Sequence, residues 1–338
     1  MTDPIKVIAE YGMTMHGDID AAHRMVDAAR AAGASAFKTQ LLTPELIATA
    51  DARPYWRHAK VPTQRDSFTA SRSVPYMQWT EVAQHCTEVG LDFVASPFDL
   101  YAVEILAGIP GVVFKIASGD LTNVPLLRAV AEVATRPIIV STGAATEAEI
   151  IGAARELRDS QTVWLACTLI YPAPLHTAEL RRIKTLRCVI EQLMGSATVG
   201  YSDHVGKPAS AMGAVFMGAT VLEVHTTLTP GDTDCPDDAM ALDPEHLADY
   251  VRAANTAAVM MGDGKLAPLP EETAARYGAS RSIHFARSLP KGHRLSAADL
   301  ICLRPADGMS PLKWDEVVGA ELTRDVHAEE AVVEAVLR

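Results

Sequence analysis

One pattern recurs along this chain: a short apolar, β-rich run followed by a longer amphipathic stretch, eight times over. The runs are KVIAE (6–10), AFKTQ (36–40), FVASP (93–97), VVFKIAS (112–118), PIIVST (137–142), VWLACT (163–168), TVGYSD (198–203) and VLEVHTT (221–227). Their length and their Val, Ile, Phe and Thr content read as strands. The segments between them, such as DAAHRMVDAARAAG, YMQWTEVAQHCTEVG, NVPLLRAVAEVA, EAEIIGAARELRD and ASAMGAVFMG, read as helices, and a further helix over 244–261 follows the last strand. Eight such units within about 260 residues match the count and length of a (β/α)8 TIM barrel. The alternative, a doubly wound open sheet, would place a Gly-rich phosphate loop after its first strand, and none follows KVIAE. The expected fold class is therefore α/β, with residues 1–262 as the barrel.

The rhythm breaks at GDGKLAPLPEETAARYGAS, whose Gly and Pro make 263–280 read as a linker. Residues 281–338 carry short strands, Pro/Gly-rich turns and brief helices, which is a second, small domain. Within the barrel, the stretch 41–75 is too long for an ordinary strand-to-helix connection. Long loops on the top of a scaffold usually cover a functional site.

Composition narrows the function classes. With 338 residues, 49% hydrophobic, the chain can bury a sizeable core. A net charge of −12 and the lack of any basic run exclude a nucleic-acid partner. No apolar stretch approaches the roughly 18 residues of a membrane span, so no membrane partner is expected. The N-terminus enters strand-like sequence directly, which predicts no leader. Five scattered cysteines without a CxxC pair fit a reducing, cytoplasmic setting.

Barrel enzymes carry their chemistry at the C-terminal strand ends, and there this sequence places its polar residues. Glu10 ends the first run, Lys38 and Gln40 the second, and Ser96 the third. Lys115 and Ser118 belong to the fourth, Ser141 and Thr142 to the fifth, and Thr168 to the sixth. Ser202, Asp203 and His204 close the seventh, with Glu223 and His225 in the eighth. Any one of these residues reads equally well as a helix cap or a strand terminus. Eight strands in a row delivering to one rim read as a site. Burying Glu223 and His225 in an apolar strand also costs free energy unless each finds a partner. His204 and His225 end neighbouring strands, and two neutral imidazoles there can bind Mn, Zn, Fe or Co. The alternative is a histidine satisfied by a backbone carbonyl. Lys38 and Lys115, in an acidic chain, imply an anionic substrate group such as phosphate or carboxylate, or else a Schiff-base lysine.

The motifs that hold these residues, IAEYG (8–12), AFKTQ, SPFD (96–99), FKIASGDLTNVPLL (114–127), STG (141–143), CTLIYPAP (167–174), GYSDH (200–204) and LEVHTTL (222–228), run in order along the chain. Together they resemble the N-acetylneuraminate (sialic acid) synthase family. The tail RSIHFARSLPKGHRLSAADLICLRPADG is similar to the antifreeze-like SAF domain (a β-clip) that follows the barrel in that family. The resemblance implies condensation of phosphoenolpyruvate with an open-chain N-acyl amino sugar to a sialic-acid-like product and phosphate. It further implies a divalent metal, Mn first and Mg, Co or Zn as substitutes, held by His204 and His225.

By the same resemblance Glu10, Lys38, Lys115 and Asp120 fall in the catalytic set. Lys38, Lys115, Ser118, Ser141 and Ser202 would cradle phosphoenolpyruvate, with Ser96 also at the substrates. Gln40, Tyr171 and Asp237 would line the sugar site. Arg304 would recognise the N-acyl group from the small domain of a partner subunit, in a domain-swapped homodimer. The chain also departs from the family pattern. Met13, Thr14, Met15 and His16 stand where an Asn-His pair is usual, and SGE is here SGD, ending at Asp120. Leu169 replaces a common asparagine, Val224 and Thr226 flank the histidine differently, and the loop before Asp237 is longer by one residue. Three rivals are a different metal-dependent barrel aldolase or lyase, a phosphoenolpyruvate synthase with a non-standard aldose, and an inactive paralogue acting as a scaffold.

Overall fold

Eight parallel strands close in sequence order into a barrel in a computed structural model that describes residues 4–15, 17–56, 59–70, 76–231 and 237–338. His16, the 71–75 end of the insert, and 232–236 with Cys235 lie outside the described residues. The strands are β1 (Lys6–Glu10), β2 (Ala36–Leu41), β3 (Asp92–Pro97), β4 (Val113–Ile116), β5 (Ile138–Ser141), β6 (Thr162–Cys167), β7 (Thr198–Asp203) and β8 (Val221–His225). β8 pairs back onto β1, with His225 opposite Glu10, and Glu10 lies opposite Lys38 on β2. The expected barrel is the fold the chain forms.

The helices outside the barrel start where short polar side chains can accept the orphan N–H groups of a first turn. Asp18 caps Ile19–Ala31, Asp99 caps Leu100–Ala107, Asn123 caps Val124–Val133 and Asp243 caps Pro244–Met261. Thr146 and Glu149 form a reciprocal capping box on Glu147–Glu156. The apolar faces of these helices pack on outward strand residues such as Phe37, Phe93, Phe114 and Trp164 in one continuous core.

Strand alternation does the rest. Ile8, Ala36, Val94, Val113, Ile139, Leu165 and Val221 fill the barrel interior as an apolar layer. Side chains two positions further along a strand point to the same face. Above that layer therefore stand Glu10, Lys38, Ser96, Lys115, Ser141, Cys167 and Glu223, all buried. An apolar plug below and a ring of polar groups above follow from period two alone.

Several expected strand ends shift slightly. β4 stops at Ile116 because the chain turns into a short 3-10 segment, Ser118–Asp120, so Ser118 sits past the strand. Thr142, Thr168 and His204 likewise lie just beyond β5, β6 and β7. Among its described residues, the insert carries two short helices, Pro44–Ile47 and Gln64–Ala70.

The chain divides into two compact units, Met1–Gly262 and Asp263–Arg338. The second begins with the stretch read as a linker. That stretch carries a helix, Thr273–Ala279, and is exposed at every residue, Leu266, Leu269 and Tyr277 included. β9 (Ser282–Phe285) and β10 (Leu300–Leu303) then pair antiparallel over a separate core that contains Ile283, Phe285, Leu295, Val317, Leu322 and Val332. Among the described residues, no helix is long and apolar enough to cross a membrane.

Candidate active site

The polar ring forms a buried charge cluster. Glu10 Oε1 accepts hydrogen bonds from Lys38 Nζ at 3.2 Å and from Gln40 Nε2 at 2.9 Å. Glu223 spans both lysines, with Oε1 3.5 Å from Lys38 Nζ and Oε2 3.3 Å from Lys115 Nζ. Burial alone would push both carboxyls up, but Lys38 and His225 outweigh it at Glu10, and Lys115 and Lys38 at Glu223, so both lie below the ordinary carboxylate range. The lysines divide. Burial disfavours the Lys38 ammonium, yet Glu10 and Glu223 overcome that and raise its pKa. Lys115 is lowered by burial and by Lys38, against the pull of Glu223. Gly12 completes this corner, since a Cβ there would stand 2.5 Å from Glu10 Oε1 and 2.7 Å from Gln40 Cγ.

Beside the lysines, Glu10, His225 and Asp237 each bring one ligand atom within 4.8 Å of the others. His225 Nδ1 is 2.7 Å from Glu10 Oε2 and 3.4 Å from Asp237 Oδ2. The 2.7 Å contact is strongly attractive when the ring is charged, but Glu10 Oε2 and His225 Nδ1 make no directional hydrogen bond. Burial opposes a charged His225, and Asp237 with Glu10 outweighs it, raising the imidazole well above its usual value. Two carboxylates and an imidazole converging on one point, with lone pairs unspent, are a donor set suited to a divalent cation. His204 stands next to this group, its ring 5.3 Å from that of His225. Its Nδ1 donates to the Thr168 carbonyl at 2.7 Å, so that in the neutral ring Nε2 presents its lone pair, the usual arrangement of a ligating histidine. The pair His204 and His225 is thus brought together, and Glu10 and Asp237, expected beside the aldehyde and the sugar, share the metal-competent corner.

A cavity opens over the ring. Lys38, Gln40, Ser96, Lys115, Ser118, Ser141, Tyr171, Ser202, His204, His225 and Asp237 all line it. The hydroxyls of Ser96 and Ser141, each 1% exposed, have no hydrogen-bond partner among the described residues. Ser118 Oγ accepts from the Gly143 amide at 3.0 Å. Tyr171 lies against His204, ring centres 4.3 Å apart, and meets Tyr55 of the insert at 6.4 Å.

One expected site residue stands off the cavity, and another belongs to the second unit. Asp120 does not line the cavity: in its 3-10 turn it accepts from Asn123 Nδ2 at 3.1 Å, and burial raises its pKa. The shift of the turn past β4 carries its carboxyl away from the ring. Arg304 belongs to the second unit, directly after β10, with its guanidinium exposed.

Further residues contribute to the site beyond the expected set. Glu223, two residues after Val221, is aimed at the lysines and pairs with both. Cys167, two after Leu165, puts Sγ 3.9 Å from His204 Nδ1. Burial raises that thiol and His204 more than compensates, so its pKa falls. Tyr55, Trp56 and Phe68 of the insert wall the cavity together with Met13, Phe98 and Leu169. The length of the insert signalled a cover, but not which side chains face inward.

Residues 25–266 match the NeuB family and residues 280–338 the SAF domain. The N,N'-diacetyllegionaminic acid synthase of Legionella pneumophila is 30% identical, across 95% of this chain and 91% of that one. The pseudaminic acid synthase of Campylobacter jejuni is 28% identical, across 98% and 96%. Among solved structures, the N-acetylneuraminic acid (sialic acid) synthetase of Leptospira borgpetersenii superposes with a TM-score of 0.71 at 28% identity, covering 81% of this chain and 90% of that one. With matched sequence over most of its length and the same barrel beneath it, this chain belongs to the NeuB family.

Proposed function

We propose that this protein condenses phosphoenolpyruvate with the open-chain aldehyde of an N-acyl amino sugar, releasing phosphate and a sialic-acid-like nonulosonic acid. One observation carries the reading: two buried lysines and two unpartnered buried hydroxyls, Ser96 and Ser141, face one cavity beside a metal-competent corner. Buried polar groups left without partners call for a ligand. A phosphate and a carboxylate on one small molecule fit that demand, and the names of the relatives fit the product.

Lys38 and Lys115 would neutralise phosphoenolpyruvate while Ser96, Ser118, Ser141 and Ser202 accept or donate at its oxygens. A carbon–carbon bond forms between the methylene carbon and the aldehyde carbon, and the aldehyde oxygen takes a proton. Water then adds to the oxocarbenium-like carbon and loses one proton. The hydroxyl so formed gives its second proton to the departing phosphate as the carbon–oxygen bond to phosphate breaks and a carbonyl forms at that carbon. Lys115, held by a single carboxylate and lowered by burial, is the lysine better able to exchange a proton. Glu10 is a weak base because its carboxylate is strongly stabilised, and it serves better as a ligand. His225, Asp237 and Glu10, with His204 beside them, would hold Mn. When bound, the cation supplies polarisation of the sugar's aldehyde. Gln40 and Tyr171 would position the sugar.

The exposed Leu266, Leu269 and Tyr277 support a partner chain over the 263–280 stretch, and so a homodimer in which Arg304 reaches the other subunit's sugar. The free thiols Cys86, Cys167, Cys188 and Cys302 support a cytoplasmic setting. The decisive test is a screen of N-acyl hexosamines with phosphoenolpyruvate and Mn, read by phosphate release. Release that requires both substrates supports the synthase. Release from neither, with aldol cleavage of a phosphorylated sugar instead, would establish the rival aldolase.

A further inference from the structure

A second buried polar network lies in the small unit, beneath the loop that bears Arg304. Ser282 and His284 both lie on β9, two residues apart and so on one face, and are almost wholly buried at 0% and 4% exposure. Ser282 Oγ has two acceptors for its hydroxyl proton, the Pro305 carbonyl at 2.8 Å and Asp307 Oδ1 at 3.0 Å, and lies 3.0 Å from His284 Nε2. His284 Nε2 stands 3.4 Å from the same Asp307 oxygen. On its other side, His284 Nδ1 contacts the Glu329 carbonyl at 2.9 Å. A carbonyl only accepts, so Nδ1 carries a proton and the ring orientation is set.

The arrangement has the composition of a hydrolytic triad but not its geometry. Ser282 is sealed from solvent and its one hydroxyl proton is taken by the Pro305 carbonyl or the Asp307 carboxylate, so it has no nucleophilic role. What the network grips is the chain on both sides of one position. Pro305 is tied through its carbonyl and Asp307 through its carboxylate, while the Ala306 amide donates to the Tyr277 carbonyl at 2.9 Å. Gly308 lets the strand behind approach, since a Cβ there would stand 2.8 Å from the Val332 carbonyl. The residue just before this clamp is Arg304, exposed and without a hydrogen bond or ion pair among the described residues. A long side chain in water loses entropy when it binds, and a fixed backbone beneath it lowers that loss.

We infer that Ser282, His284 and Asp307 are positioning residues that hold the 304–308 loop so that Arg304 meets the acceptor sugar preorganised. This deepens the proposed function and rests on the reading that Arg304 contacts the acceptor. The test is a double-mutant cycle in the full-length chain, with phosphoenolpyruvate, Mn and the fastest acceptor from a panel of 2-acetamido-2-deoxy and 2,4-diacetamido-2,4,6-trideoxy hexoses. Asp307→Ala removes a partly exposed side chain, which spares the fold, and His284→Asn keeps a donor for Glu329 while losing Asp307. Each is expected to raise the acceptor KM about fivefold to tenfold, with kcat and the phosphoenolpyruvate KM unchanged, and to add nothing once Arg304 is already Ala. Asp307→Asn, which retains the shape and one acceptor, should recover part of the loss. Equal losses with and without Arg304 would overturn the inference, because the network would then act independently of that side chain. Unchanged kinetics in Asp307→Ala and His284→Asn, alongside a damaged Arg304→Ala, would overturn the inference while leaving the Arg304 reading intact. An undamaged Arg304→Ala would remove both.

Discussion

Glu223 Oε2 lies 3.3 Å from Lys115 Nζ, and the other oxygen of the same carboxylate lies 3.5 Å from Lys38 Nζ. One buried anion thus holds two buried cations side by side before any substrate arrives. Removing it by Glu223→Gln leaves Lys115 without its carboxylate partner, and breaking a buried pair this way costs about 3–5 kcal/mol. The vacated charge is the kind phosphoenolpyruvate supplies. The variant should therefore melt lower than the wild type and regain more of its Tm from added phosphoenolpyruvate. Thermal shifts with and without the ligand test this, and an equal ligand shift in both proteins would contradict it.

The lysines should not be equivalent. Lys38 shares its charge with Glu10 and Glu223, whereas Lys115 has Glu223 alone. More of the Lys115 charge is left for a substrate anion. Lys115→Met should raise the phosphoenolpyruvate KM by about tenfold to a hundredfold, the worth of a charge-assisted hydrogen bond. Lys38→Met should do less to KM and more to stability, since it strands two carboxylates. Steady-state kinetics and urea unfolding on both variants separate the two patterns.

A divalent cation bound at the Glu10, His225 and Asp237 corner should stabilise the fold increasingly as its free concentration exceeds its Kd. Chelation is expected to lower Tm, and Mn to restore it. His225→Ala should lose most of the bound metal. His204→Ala should lose part of it, because His204 stands beside the compact triad and not within it. Metal analysis of the purified variants decides the matter, and full occupancy in both would rule the site out.

The barrel was legible because period-two alternation writes itself directly into apolar runs, and a polar residue two beyond an inward apolar one has little choice of direction. Ile8 to Glu10 and Val221 to Glu223 to His225 show the rule. What escaped the sequence depends on distances between strands. That Glu223 serves two lysines follows from the closure of β8 onto β1 and the radius of the barrel, which no local pattern encodes. Asp120 stands off the cavity for the converse reason, since β4 ends early and its 3-10 turn brings the carboxyl to Asn123. The insert announced itself by length, yet the inward turn of Tyr55, Trp56 and Phe68 is set by packing.

The small unit should carry its own acid sensitivity. Asp299 accepts from Ser296 Oγ at 2.7 Å, from His293 Nε2 at 3.0 Å and from Arg287 Nη2 at 2.7 Å. The Ser296 and His293 bonds, ahead of Arg287, hold its carboxyl far below the ordinary range. A depressed carboxyl contributes stability that is present above its unfolded pKa, about 3.9, and lost as pH falls through the folded value. Protection of the 282–303 amides against hydrogen exchange, corrected for intrinsic rates, should therefore decline below about pH 4. Asp299→Asn should lose about 1.5–3 kcal/mol at neutral pH and flatten that decline. An unaltered acid profile in the variant would assign the sensitivity to other groups.

The assembly makes the strongest demand. Arg304 sits in a unit with its own core, and its guanidinium is exposed and unpaired among the described residues. It contributes to catalysis only by reaching a barrel mouth, and the proposal sends it to the partner's. Losing a charged donor to the acceptor should cost about 1.5–3 kcal/mol, felt in the sugar's KM and not in that of phosphoenolpyruvate. Crossing is tested by mixing Arg304→Ala chains with Lys115→Met chains under conditions that exchange subunits. If each site is built from two chains, a mixed dimer gathers both defects into one site. The other site then pairs an intact barrel with an intact Arg304, and activity returns toward half of the wild-type level per mixed dimer. If each chain completes its own site, every site in the mixture keeps one defect, activity stays at the average of the parents, and the swapped homodimer is wrong.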